Sequence, residues 1–112
     1  LGFLLTSCNE ESAPSALLRI KNVDTIHFDE VIVKGINFGS LAIGATTEYE
    51  LVETVYSYSS VVLIADNDTC RLQPIDFVGE TPYKSGNFRY DLKRNITSPF
   101  EPCMVDLKFI KE

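Results

Sequence analysis

Asn87-Phe88-Arg89-Tyr90-Asp91-Leu92-Lys93 sets apolar and charged side chains in strict alternation from Phe88 onward. Successive side chains of a strand point to opposite faces, so a period of two marks a half-buried strand with Phe88, Tyr90 and Leu92 turned inward. The same period recurs on both sides of this stretch. Downstream, 103–110 places Val105, Leu107 and Phe109 on one face. Upstream, 17–23 alternates Leu18 and Ile20 against Arg19 and Lys21, and 30–36 sets Val31 and Val33 against Glu30 and Lys34. The stretch 46–52 is expected to turn Tyr49 and Leu51 inward and Glu48 and Glu50 outward. The run 55–65 is the longest, and its second half is apolar on both faces, which suits a central strand.

Turn residues punctuate these runs. Gly35 and Gly39 flank a bend carrying Asn37 and Phe38. Asp66-Asn67-Asp68-Thr69 predicts a tight hairpin turn, because Asn and Asp tolerate positive φ. The partner strand, 69–78, contains Pro74, which has no N–H for a ladder and so marks an edge or a bulge. Gln73-Pro74-Ile75-Asp76-Phe77-Val78-Gly79-Glu80 is expected to form a shaped kink, and Ser98-Pro99 and Glu101-Pro102 bracket a later loop. No segment holds apolar residues at helical spacing for three turns. The expected fold class is therefore all-β. About seven strands without crossover helices predict an antiparallel two-sheet β-sandwich, with a barrel as the second choice.

Composition bounds the function. A chain of 112 residues, 45% hydrophobic with mean hydropathy +0.03, suits one globular domain. Net charge is −6 with a pI of about 4.7. Lys21, Lys34, Lys84, Lys93, Arg94 and Lys108 are dispersed among acids, so no nucleic-acid partner is expected.

Few residues suggest chemistry. Nucleophilic catalysis needs a base, and His27 is the one histidine in the sequence. Asp66-x-Asp68 lacks the glycine and distal glutamate of a calcium loop, so no metal site and no cofactor are expected. Asp76 and Glu80 flank Phe77-Val78-Gly79 and would form a binding rim. Tyr56 and Tyr58 alternate with Ser57 and Ser59, a combination that makes good contact surface. Ring packing for the tyrosines and a backbone kink at Gly79 are the first reading of these stretches; a binding surface formed by Tyr56, Tyr58, Asp76 and Glu80 is the alternative, in a protein expected not to be an enzyme.

The start of the chain carries a resemblance. Leu5-Thr6-Ser7-Cys8 follows a short apolar run and resembles a bacterial lipobox, in which the cysteine is lipidated and becomes the new N-terminus. Asn9-Glu10-Glu11 resembles the acidic export tag of surface lipoproteins in Bacteroidota. The resemblance implies a signal-peptide remnant at 1–7, a lipid on Cys8, a flexible tether at 8–16 and a single domain at 17–112. The implied address is the outer membrane or cell surface, held there by acyl chains at about 0.8 kcal/mol per buried CH₂. With Cys8 consumed by lipid, Cys70 and Cys103 remain to pair in an oxidising compartment; two buried free thiols are the alternative.

Thr47-Glu48-Tyr49, the string from Gln73 to Glu80 and Val105-Asp106-Leu107 are similar to small lipoproteins of that phylum with no assigned activity. That similarity implies an Ig-like or transthyretin-like sandwich. The chain departs from the transthyretin-related hydrolases, lacking their histidines and their Tyr-Arg-Gly-Ser ending. The expected role is a lipid-anchored module that contacts a protein or glycan. The alternative is a fimbrial or adhesin-type subunit, completed by a neighbour along the Pro74 strand or the strand ending at Ile110.

Overall fold

The computed structural model describes residues 15–74, 80–96 and 103–112. These hold eight strands and no helix: β1 (Ala16–Asn22), β2 (Phe28–Val33), β3 (Ile36–Leu41), β4 (Glu50–Val52), β5 (Val61–Ala65), β6 (Asp68–Leu72), β7 (Gly86–Asn95) and β8 (Met104–Lys111). All eight form one sheet in the order β3-β2-β5-β6-β8-β7-β1-β4. The all-β class is as expected. The arrangement is not seven antiparallel strands: there are eight, and β1/β7 and β6/β8 are parallel. The physical reason is that turns set the sense of local pairs only. Parallel neighbours are joined by long connections that leave no turn signature.

Where turns are short, the chemistry is plain. Asp66 and Asn67 take φ of 52° and 66° and join β5 to β6 as expected. Lys34 and Gly35 do the same between β2 and β3, at 55° and 78°. Both are two-residue turns with positive φ throughout, the type I′ form that matches strand twist. The expected strand over 30–36 ran through this second turn, because lysine is a rare occupant of that conformation.

Several strands are shorter than expected. β6 stops at Leu72, two residues before Pro74, which is where a missing N–H would break the ladder. β5 occupies 61–65 alone. Ahead of it, Val55 makes a lone bridge to Tyr83 with two hydrogen bonds of 2.8 Å, and the Tyr90 hydroxyl donates to the Tyr56 carbonyl at 2.6 Å. Those bonds take the backbone of 55–56 out of any ladder with β2. Ala16 is buried in β1, so the expected tether cannot extend as far as 16.

The inward assignment of Tyr49 and Leu51 is also corrected. Thr46 bridges Lys21 and Glu50 pairs with Leu18, leaving residues 47–49 opposite 19–20. The extra residue is a bulge, and a one-residue slip exchanges the faces. Leu51 is accordingly 69% exposed, Val52 packs on the core, and Tyr49 lies beside Arg19 on the other face.

The sheet curls on itself. β3 and β1 stand six strand spacings apart, about 29 Å in a flat sheet. Yet Leu41 ends β3, and the Gly44 N–H donates to the Asn22 carbonyl of β1 at 2.9 Å. Three residues reach at most about 11 Å. The two edges must therefore approach each other. The enclosed side holds one core, in which Phe28, Val31, Val33, Val61 and Leu63 meet Leu18, Ile20, Phe88, Tyr90 and Leu92. Phe88, Tyr83 and Phe109 extend it with ring centroids 5.4–5.7 Å apart.

Between β6 and β8 the sheet has a thin seam. Among the described residues one pair, Arg71 with Met104, is joined there, and the Cys70–Cys103 disulfide lies beside it with Cα atoms 4.7 Å apart. β6, the described part of the expected Pro74 strand, and β8, which carries Ile110, are thus interior. Among the described residues the edges are β3 and β4.

Candidate functional site

The most elaborate polar arrangement lies on the face of β1 and β7 turned away from the core. Parallel register sets Arg19 beside Arg89, two like charges that need a common partner. Glu112 supplies it. Arg19 donates through Nε and Nη2 to Oε1 and Oε2 at 2.9 and 2.7 Å, and Arg89 Nη1 donates to Oε2 at 3.2 Å. The Tyr49 hydroxyl donates to Oε1 at 2.8 Å, and the Arg19 guanidinium carbon lies 4.5 Å from the Tyr49 ring centroid. Arg89 also holds Asp91, with Nε to Oδ1 at 2.6 Å. Hydrogen bonding from Arg19, aided by Tyr49, keeps the Glu112 carboxyl down at about 2 despite some desolvation. The same carboxylate, accepting its proton, holds the Tyr49 phenol above its usual range. Every charge in this cluster is met by another, so it works as a clasp across β1, β7 and the end of β8.

A second pair closes the opposite end of β7. Asp24 accepts from the Arg94 backbone N–H and from Arg94 Nε, both at 2.8 Å, and from the Thr25 N–H at 2.6 Å. Its side chain is only 9% exposed. Burial alone would raise the carboxyl, but the Arg94 and Thr25 hydrogen bonds outweigh it and hold it at about 2.

A pH prediction follows from this sign. The unfolded carboxyl titrates near its ordinary value of about 3.9, so the stabilisation is complete above that pH and is lost as pH falls toward 2. Asp24 is expected to contribute about 2 kcal/mol at neutral pH by this route. Urea unfolding at pH 6 and at pH 2.5 should show a smaller acid loss in Asp24→Asn than in the parent chain. Equal losses would refute the assignment.

The expected binding residues are only partly assembled. Tyr56 and Tyr58 are half-buried in the irregular stretch ahead of β5, so the strand alternation that placed them on one face does not apply. Lys34 Nζ sits 5.7 Å from the Tyr56 ring centroid. Ser57 Oγ donates to Glu80 Oε1 at 2.6 Å, bringing Glu80 against this stretch. Asp76, like Cys8 and the kink over 75–79, lies outside the described residues. His27 is exposed, with Nε2 3.8 Å from Asp29 Oδ1. Among the described residues no group of three or more His, Cys, Asp or Glu side chains gathers to hold a metal ion. No helix among them is long and apolar enough to cross a membrane.

Two features escaped the sequence reading. One is Asn22, which is fully buried. Its Nδ2 donates to the Ile26 and Leu41 carbonyls at 2.9 and 3.0 Å, and its Oδ1 accepts from the Asp24 N–H at 2.8 Å. It thereby ties β1 to the end of β3. A signal existed: Leu18, Ile20 and Asn22 share one strand face, and a polar residue in core phase must find partners. The other is a groove of about 400 Å³ between the two sheet edges. Phe38, Ser40 and Leu41 of β3 form one wall, and Thr46, Glu48 and Glu50 form the other. Both edges come from segments that looked unremarkable singly, so nothing local announced it. No protein-family model, curated protein or solved structure matches the chain.

Proposed function

We propose that the chain is a lipid-anchored, non-catalytic contact module of the outer membrane or cell surface, tethered through Cys8 and presenting a β-sandwich to a protein or glycan partner. The observation that carries this reading is the conjunction of Leu5-Thr6-Ser7-Cys8-Asn9-Glu10-Glu11 with the Cys70–Cys103 disulfide. A lipobox routes a chain out of the cytosol, and a structural disulfide belongs in the oxidising compartment it would reach. The sandwich view is supported by the thin β6/β8 seam. It divides the sheet into two four-stranded halves, β3-β2-β5-β6 and β8-β7-β1-β4, that share a single core. The polar clusters around Glu112 and Asp24 are internally neutralised, which suits bracing rather than proton transfer.

The test is intact-mass analysis of protein extracted from membranes. The expected result is a chain starting at Cys8 and heavier by two or three acyl chains. An unmodified Cys8 would end the reading. A pilus-like subunit completed by a neighbour's strand is the competing view. β6 and β8, from the two stretches expected to serve it, are interior, and among the described residues β3 and β4 are the edges open to such pairing.

A further inference from the structure

We propose that the groove between β3 and the 46–50 stretch docks a short, extended, lysine- or arginine-bearing segment of a partner protein. This deepens the contact-module reading and rests on it only in taking binding as the role.

The first support is geometric. Among the described residues β3 has a ladder with β2 on one side and none on the other, so its second row is offered to an added strand except at the Leu41 carbonyl, held by Asn22, and the Gly39 N–H, held by Asn37. The groove it borders, at about 400 Å³, is of the size that holds a few residues of ligand. The second support is charge. Glu48 and Glu50 line the groove, both are exposed, and among the described residues neither has an ion-pair partner. Glu30 adds a third acid beside the β3 wall, accepting from Asn37 Nδ2 at 2.8 Å. Arg19, the cation nearest Glu48 in the ladder, is already committed to Glu112. The third support is apolar. Phe38 is half-buried on the opposite wall and offers a surface for the methylene stem of a lysine or arginine whose head reaches the acids.

The same features disfavour a second copy as occupant. A chain of net charge −6 would bring acids against acids. Gly39, at φ of 81°, lies where the β2/β3 register shifts, and its N–H is taken by Asn37 Oδ1 at 2.8 Å. A bulge of that kind blunts long edge-to-edge pairing while leaving room for a short segment.

The experiment is an ¹⁵N NMR titration of the 112-residue chain with the capped peptide Lys-Val-Lys-Val-Lys, using Ser-Val-Ser-Val-Ser as the neutral probe. Saturable amide shifts are expected at 37–41 and 46–50, with affinity falling steeply in about 0.5 M salt. E48Q/E50Q should weaken the lysine peptide by roughly tenfold or more, with an unchanged melting temperature because both side chains are exposed. Absence of saturation, shifts centred elsewhere, equal binding of the neutral peptide or full affinity in the double variant would overturn the proposal. So would a concentration-dependent dimer whose shifts map to β3. None of these results bears on whether Cys8 is acylated, so the two readings fail separately.

Discussion

Replacing both cysteines, as Cys70→Ala with Cys103→Ala, is expected to cost about 3–4 kcal/mol of stability, from the loop-closure entropy of a bridge spanning 33 residues. The loss should appear as a fall of about 1–4 M in the urea midpoint at a slope of about 1–3 kcal/mol per M, and reduction of the parent chain should reproduce it. The location matters as much as the size. Among the described residues Arg71 with Met104 is the one residue pair that joins β6 to β8, so the covalent bond is a large part of what holds that seam. Amide exchange in the double variant should therefore accelerate first in β6 and β8. The hairpin of β2 and β3, far from the seam in the sheet order, should be protected longest relative to the parent. Uniform loss of protection, or a midpoint shift well below 1 M, would show that packing alone carries the seam.

Asn22 carries the second large effect. Asn22→Leu would leave the Leu41 carbonyl without its partner in a buried setting, and the Ile26 carbonyl and the Asp24 N–H without theirs in a part-buried one. At about 1–3 kcal/mol for a buried group left unpaired and less for the two part-buried ones, a loss of about 2–4 kcal/mol is expected. Asn22→Asp separates hydrogen bonding from shape. The carboxylate has nearly the same outline, but it faces two carbonyl oxygens and has no proton to give them. Its destabilisation at pH 7 should exceed that of the leucine variant and should shrink as pH falls and the acid becomes neutral. Chemical denaturation across pH 4 to 8 reads this directly. If the aspartate variant behaves like leucine at every pH, then the side chain does not bridge the edges as described. A change at Asn22 should also loosen the crossing from β3, because its backbone bonds Ala45 and Gly44.

These two residues illustrate what could be read early. Cys70 and Cys103 were paired on the strength of a lipobox resemblance, and the structure contains the bond. Asn22 shares the strand phase of Leu18 and Ile20, which marks it as interior. Strand phase was legible wherever the ladder is regular: Leu18, Ile20, Val31, Val33, Phe88, Tyr90, Leu92 and Val105 are all buried as expected. It misled at Leu51, where a bulge of one residue exchanged the faces. It misled again over 55–60, where three specific hydrogen bonds, two between Val55 and Tyr83 and one from Tyr90 to Tyr56, outcompete strand propensity. The Glu112 clasp was out of reach, since Arg19, Tyr49, Arg89 and Glu112 lie far apart in sequence and each reads alone as a surface residue.

By itself the sequence determined the class of secondary structure, the facing of most strands, and the Asp66-Asn67 turn. These depend on the side-chain period and on allowed φ/ψ values, both of which act over a few residues. Only the tertiary structure decided that β1 lies parallel to β7, that β6 lies parallel to β8, and that the sheet curls until β3 faces the 46–50 stretch. Closing long loops costs an entropy that varies slowly with their length, so no local pattern selects one distant partner over another. The selection comes from burying one shared core and from matching groups such as Asn22 with Leu41, which meet only when the whole chain has folded.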